Sequence, residues 1–312
     1  MTKKSATIVL FGNERIATGV TTATPTLRKL QNNGYNVVLV VANNQQRASR
    51  KQRQLEIAET AAELNIPIML PERLRDATDA LRGCNADIGV LVAYGKMVPQ
   101  QIIDIFPRGI VNIHPSLLPL HRGSIPLESV MLAGEHKTGV SIMRLIKQMD
   151  AGPVFAQKAI DLEGNETKQE LADRLLDTGS DLLLEVLPRI VDGTLEPQGQ
   201  DESKATYDAL ITKQDGLIDW SKPASRIERE VRAYAEWPKS YTTWNGLEVV
   251  ITGAHVEPSQ GSTMGAPSII NKKPAVHCGS DSLVIDRIKP SGKQEMTGEA
   301  FLAGYRQLFL GL

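Results

Sequence analysis

Short apolar runs alternate with helix-like stretches through the first half of the chain. Ala6–Phe11 (ATIVLF) and Val37–Ala42 (VVLVVA) are β-branched and lack an exposed face. Strands of that kind lie buried on both sides in a parallel sheet. Between them, Thr26–Asn33 has helical composition and stops before Gly34. Leu55, Ala58, Ala62 and Asn65 recur at helical spacing, with Leu64 beside them. Further strands are predicted at Pro67–Leu70, Ala86–Tyr94, Gly109–His114, Thr138–Leu145 and Pro153–Ile160, the last two nearer the sheet edge. This βα rhythm predicts an α/β fold with a doubly wound, Rossmann-like parallel sheet. Thr167-Lys-Gln-Glu170 reads as a capping box opening a long amphipathic helix. Leu171, Leu175, Leu182 and Val186 form its buried stripe, and Pro188 and Gly193 are expected to end or bend it.

The pattern changes near Asp192. Gly193–Lys204 (GTLEPQGQDESK) is polar and aperiodic, as linkers are. A helix is predicted around Ala224–Tyr234. Asn245-Gly246 then separates two β-prone runs, a strong hairpin signal. Ser282–Ile288 is another strand, and Thr297 can cap a last helix. The expected organisation is a catalytic-type domain over 1–191, a linker over 192–206 and a smaller β-rich barrel or sandwich over 207–312.

Composition narrows the function classes. A net charge of −1 does not suit a protein that coats nucleic acid non-specifically, DNA included. A local basic patch could still bind a structured RNA. Cys84 and Cys278 stand far apart, which argues for a reducing compartment and against a disulfide framework or zinc site. No run approaches the ~20 apolar residues that span a bilayer. The expectation is a cytoplasmic protein with no membrane or metal partner.

Asn112 and His114 are one residue apart on a predicted strand, so their side chains share a face. At the carboxyl end of a central strand they would project into the ligand crevice of such a sheet. An amide and an imidazole there suit a developing oxyanion in acyl transfer. Asp150, before a turn at Gly152-Pro153, is the candidate carboxylate partner of the imidazole. A histidine at a strand end and an aspartate in a turn also have ordinary structural uses. The following loop, PSLLPLHRG, adds weight to the chemical reading. It carries three leucines that need a ligand or core to cover them, then Arg122 and Gly123.

The run AYGKMVPQQIIDIFPRGIVNIHPSLLPLHRG, continued by TGVSIMRLIKQMDAGPVFAQ, resembles the folate-dependent formyltransferases. IDWSKPASRIEREVRAYAEWPKSYTTWNG and LVIDRIKPSGKQEM are similar to the C-terminal domain of the tRNA-dependent branch, a small OB-like β-barrel. The resemblance implies transfer of a formyl group from 10-formyltetrahydrofolate, a co-substrate, to the α-amino group of methionyl-initiator-tRNA by a monomer without metal. It implies oxyanion stabilisation by Asn112 and His114, and proton handling by Asp150. It places folate against Lys96, Met97, Val98, Ser116, Leu117, Leu118, Pro119, Gln148 and Met149, with Arg122 near the reacting end of the amine substrate. Arg47, Arg50, Lys51 and Arg53 would contact tRNA phosphates.

The chain departs from the family in four places. Asn13-Glu14 in FGNERIATG replaces Thr-Pro. NNQQRASRKQRQ replaces a Pro-Asp-Arg-Pro pattern and glycine-rich basic segment. Leu120 stands where Arg is common, and Leu127-Glu128 where an apolar residue and an amide are common. Glu128 is expected beside the pocket, where it would alter amine selection. The alternatives are a glycinamide ribonucleotide or sugar-nucleotide formyltransferase, and a silent folate- or tRNA-binding relative. The first two would not share the Trp237-Pro238 region.

Overall fold

The computed structural model describes residues 6–43, 55–259 and 263–311. It divides into two compact units. The first comprises residues 1–127, 136–163 and 169–209, and the second 128–135, 164–168 and 210–312.

In chain order the elements are β1 (Thr7–Gly12), α1 (Pro25–Asn32), β2 (Asn36–Val41), α2 (Glu56–Glu63), β3 (Ile68–Met69), α3 (Thr78–Gly83), β4 (Ile88–Val92), α4 (Gln100–Ile103), β5 (Ile110–His114), α5 (Pro126–Ala133), β6 (Lys137–Arg144), β7 (Val154–Asp161) and α6 (Lys168–Asp192). The seven strands form one sheet in the order β3-β2-β1-β4-β5-β6-β7. The first five of that order run parallel, and β6 and β7 are antiparallel additions. The strand order reverses between β1 and β4, which opens a crevice beyond their carboxyl ends.

Alternation along the strands builds two faces. Val9, Phe11, Leu39, Val41, Leu91 and Ile110 pack on one face with Leu81 of α3 and Ile102 of α4. The edge-on packing of Phe11 against Tyr94 and Phe106 holds the centre of that cluster. The other face takes α6. A Cβ at Gly179 would lie 2.6 Å from Ile113 Cγ2, so this helix approaches β5 closely because a glycine faces the strand. The stripe Leu171, Leu175, Leu182 and Val186 is buried as predicted. The helix runs through Pro188 to Asp192 and stops at Gly193, where φ is +74°. Helix α5 was not anticipated by the sequence reading, although Leu127, Val130 and Met131 give it a buried stripe.

Residues 192–206, read as a linker, are bound to the first unit. Val154 and Gln198 exchange backbone hydrogen bonds, and Arg122 bridges to Tyr207 and Thr206. The unit therefore extends to Ala209.

The second unit adds α7 (Ala224–Ala233), β8 (Ser240–Trp244), β9 (Leu247–Glu257), β10 (Pro267–Ile270), β11 (Lys273–His277), β12 (Ser282–Pro290), β13 (Met296–Thr297) and α8 (Gly298–Leu310). Its strands are antiparallel in the order β10-β11-β12-β9-β8, with β13 against β12. Asn245 and Gly246 turn the β8-β9 hairpin with φ of +44° and +82°. Thr297 Oγ1 accepts the Ala300 N–H at the start of α8. Phe301 and Phe309 of α8 pack on Trp244, closing a core with Ile227, Leu283 and Ile285.

Candidate active site

The carboxyl ends of β1, β4 and β5 and the β6-β7 turn surround a cleft of about 590 Å³ within the first unit. Gly12 ends β1 with φ +124°, and a Cβ there would lie 1.8 Å from the Val92 carbonyl oxygen. Only glycine fits, and the chain then turns so that Asn13, Arg15 and Ile16–Val20 form one wall. Tyr94–Val98, after β4, form another. Arg15 is ion-paired with Glu56 at the start of α2.

β5 delivers Asn112 and His114 to the cleft on one face, both buried. His114 Nε2 lies 3.0 Å from the His121 carbonyl oxygen. A carbonyl only accepts, so Nε2 carries the proton. This leaves Nδ1 toward Asp150, whose Oδ1 is 3.7 Å away. That separation exceeds a hydrogen bond, and such distances commonly shorten when substrate binds. Asp150 occupies a left-handed conformation, φ +49°, and its Oδ2 accepts the Gly123 N–H at 2.9 Å. Asn112, His114 and Asp150 thus meet at one cleft although the third is distant in sequence.

Lys96, Met97, Val98, Gln148 and Met149 also line this cleft. Met97 and Met149 are exposed, an arrangement that offers adaptable apolar cover to a flat ligand. Ser116, Leu117, Leu118 and Pro119 do not line it. Ser141 Oγ donates to the Ser116 carbonyl at 2.6 Å and accepts the Leu118 N–H at 3.0 Å, while Gln157 Nε2 donates to the Leu118 carbonyl at 2.8 Å. Leu117 contacts Gly139 on β6. The loop turns back over the sheet, so Leu118 is buried and Leu117 half-buried against protein, while Leu120 is exposed.

Arg122, expected near the reacting end of the amine substrate, does not line the cleft. It is fully buried and holds Gln200, Glu202 and Tyr207, so no donor of its guanidinium remains for a substrate. Glu128 does not line the cleft either. It lies 3.7 Å from Lys168 Nζ, both nearly sealed from solvent within the second unit. Burial pushes the Lys168 ammonium below its ordinary value, and the charge of Glu128 opposes that shift. Arg47, Arg50, Lys51 and Arg53 lie outside the described residues.

Several cleft residues escaped the sequence reading: Asn13, Arg15, Tyr94, Ser124 and Lys147. Gly12 was the available signal for the first wall, as the glycine ending an apolar strand. Among the described residues no group of three or more His, Cys, Asp or Glu could hold a metal ion. No described helix is long and apolar enough to cross a membrane.

The formyl transferase family model matches residues 8–187. Its C-terminal domain model matches residues 210–306. The chain belongs to the formyl transferase family. Among relatives of this formyl transferase, the methionyl-tRNA formyltransferase of Chloroflexus aggregans is 41% identical over 280 residues, covering 87% of this chain and 90% of that one. The methionyl-tRNA formyltransferase of Roseiflexus castenholzii is 36% identical over 308 residues, 97% of each. Among solved structures, the N-formyltransferase of Helicobacter canadensis in complex with folinic acid and dTDP-3-aminofucose superposes with a TM-score of 0.68. At 17% identity, over 90% of this chain and 98% of that one, it shows a shared fold.

Proposed function

We propose that this formyl transferase moves the formyl group of 10-formyltetrahydrofolate to the α-amino group of methionyl-initiator-tRNA, with Asn112, His114 and Asp150 as its catalytic residues. The observation that carries the chemistry is the meeting of these three polar side chains in one cleft. The observation that carries the substrate is 36% identity to a methionyl-tRNA formyltransferase along 97% of both chains.

The donor supplies the electrophilic carbonyl carbon, and the acceptor amine is the nucleophile. No serine or cysteine of the enzyme is then required. Holding the two reactants together supplies much of the rate. The Asn112 amide can donate to the carbonyl oxygen as it gains charge. Because the Nε2 proton is engaged by the His121 carbonyl, His114 Nδ1 is an acceptor in the neutral ring and becomes a second donor only once it has taken up a proton. A proton leaving the amine has a route to His114 Nδ1 or to Asp150, which face one another; the bond from the formyl carbon to N10 of the folate then breaks, and N10 takes up a proton as tetrahydrofolate leaves. Lys96–Val98 and Gln148-Met149 are proposed to hold the folate, and Arg47, Arg50, Lys51 and Arg53 the tRNA backbone. The second unit, which corresponds to the family's C-terminal domain, is proposed to bind the tRNA.

The test is formylation by the purified protein with charged initiator tRNA and, separately, amino-sugar nucleotides. Formyl-methionyl-tRNA as the sole product is expected, with loss of turnover in His114→Ala. Formylation of a sugar nucleotide instead would move the enzyme to another branch, and no product from any amine would support a silent relative. Charge reversal at Arg47, Arg50 and Lys51 should raise the KM for tRNA and spare folate binding. An unchanged KM would remove that loop from the tRNA site.

A further inference from the structure

We propose that Gln200, held by Arg122, is a positioning residue for Asp150, so that the polar segment after α6 sets the catalytic geometry. The inference rests on the role of Asp150 given above.

The side-chain amide of Gln200 uses all of its hydrogen-bonding capacity. Nε2 donates to the backbone carbonyls of Asp150 at 2.8 Å and Gly152 at 2.7 Å. Oε1 accepts from Arg122 Nε at 3.1 Å and Nη2 at 2.8 Å. A flipped amide would set its donors against a guanidinium and its acceptor against two carbonyls, so the orientation is fixed. Arg122 is likewise saturated. Its other donors go to Glu202 Oε2 at 2.9 Å, Glu202 Oε1 at 2.6 Å and Tyr207 Oη at 2.7 Å. All five guanidinium hydrogens therefore have acceptors, and the group is fully buried. Glu202 and Tyr207 are exposed, but the guanidinium and the Gln200 amide between them have every donor and acceptor engaged, which fixes the orientation of Gln200.

Two routes connect this network to the carboxylate. Gln200 clamps the backbone on both sides of Ala151, next to the left-handed Asp150. Such a conformation persists in a residue with a side chain only where surrounding contacts impose it. The N–H of Gly123, adjacent to Arg122, holds Asp150 Oδ2. Backbone bonds from Arg122 N–H to the Thr206 carbonyl and from Asp208 N–H to the Arg122 carbonyl fasten the strap along its length. The same strap reaches the histidine. Asp208 Oδ1 lies 3.1 Å from His121 Nδ1, and the His121 carbonyl is the group that fixes the His114 tautomer.

The test is a double-mutant cycle in the full chain, with turnover of formyl-folate and Met-tRNA as the readout. Gln200→Leu should lower kcat by roughly 10- to 100-fold, the scale expected for displacement of a catalytic group by about 1 Å. The KM for folate should stay within about twofold. In an Asp150→Asn background the same substitution should have no further effect on the residual rate, because contributions acting through one group do not add. Gln200→Glu keeps the acceptor toward Arg122 and removes the donors to the turn. It should reproduce the loss of kcat even if the leucine variant folds poorly. Wild-type kcat in both variants while Asp150→Asn is impaired would overturn the inference and leave the site intact. An equal loss in both backgrounds would also overturn it, because a general structural defect behaves that way. Wild-type turnover in Asp150→Asn would overturn the assignment of Asp150 and the inference with it.

Discussion

Glu14, in the loop after β1, makes a pH-dependent contribution to stability. Its carboxylate accepts the N–H groups of Thr26 at 2.8 Å and Leu27 at 2.9 Å, capping α1 from a distant loop. Thr24, at the N-cap, provides no side-chain cap of its own. Burial pushes the Glu14 carboxyl from 4.5 up to about 7, outweighing the two backbone bonds and the charge of Arg28, which pull it down. The folded state therefore binds this proton more tightly than the unfolded state. The stability it contributes is complete below about pH 4.5, declines as pH rises and is gone above about 7. At about 1.4 kcal/mol per pKa unit, the full difference is about 3 kcal/mol, of which about 2 to 3 falls between pH 5 and 8. Urea denaturation across that range checks it, comparing the wild type with Glu14→Gln. All three tryptophans, Trp220, Trp237 and Trp244, lie in the second unit, so hydrogen exchange at Leu27 must report on the first. The wild type should lose stability with rising pH relative to the variant, whatever the variant's absolute stability. Parallel profiles would refute the reasoning.

Other outcomes follow from packing and site geometry. Gly12→Ala should yield unfolded or aggregated protein, because its Cβ would overlap the Val92 carbonyl and φ is +124°; soluble yield and dichroism check this. Phe301→Ala should destabilise the second unit by about 3 to 5 kcal/mol, read through the fluorescence of Trp244, whose ring centroid is 5.9 Å away. Asn112→Ala should lower kcat by roughly 100- to 1000-fold with little change in folate binding, as loss of one oxyanion donor does in other acyl transfers; single-turnover kinetics would show it.

The parts of the fold readable from the sequence were those with local signals. β1, β2, β4 and β5 are continuous apolar runs, α6 carries a periodic stripe, and Asn245-Gly246 marks a hairpin. Asn112 and His114 were legible because a strand's two-residue period aligns them, and Asp150 because a turn follows it. Residues whose partners are remote in sequence carried no such signal. Arg122 looked like a free cation because its carboxylate, Glu202, is 80 positions away. Ser116–Pro119 looked like a ligand wall because nothing local reveals Ser141 and Gln157 behind it. Residues 192–206 looked like a linker because polar residues without periodicity give the same pattern whether solvated or hydrogen-bonded.

The attachment of residues 198–208 to the first unit also bears on how these enzymes exchange parts. A swap of C-terminal halves between relatives, joined at the end of the long helix, would split Arg122 from Gln200, Glu202 and Tyr207 and give them to different parents. Crossovers placed after Ala209 keep both sides of that network together, and those chimaeras should retain their donor chemistry.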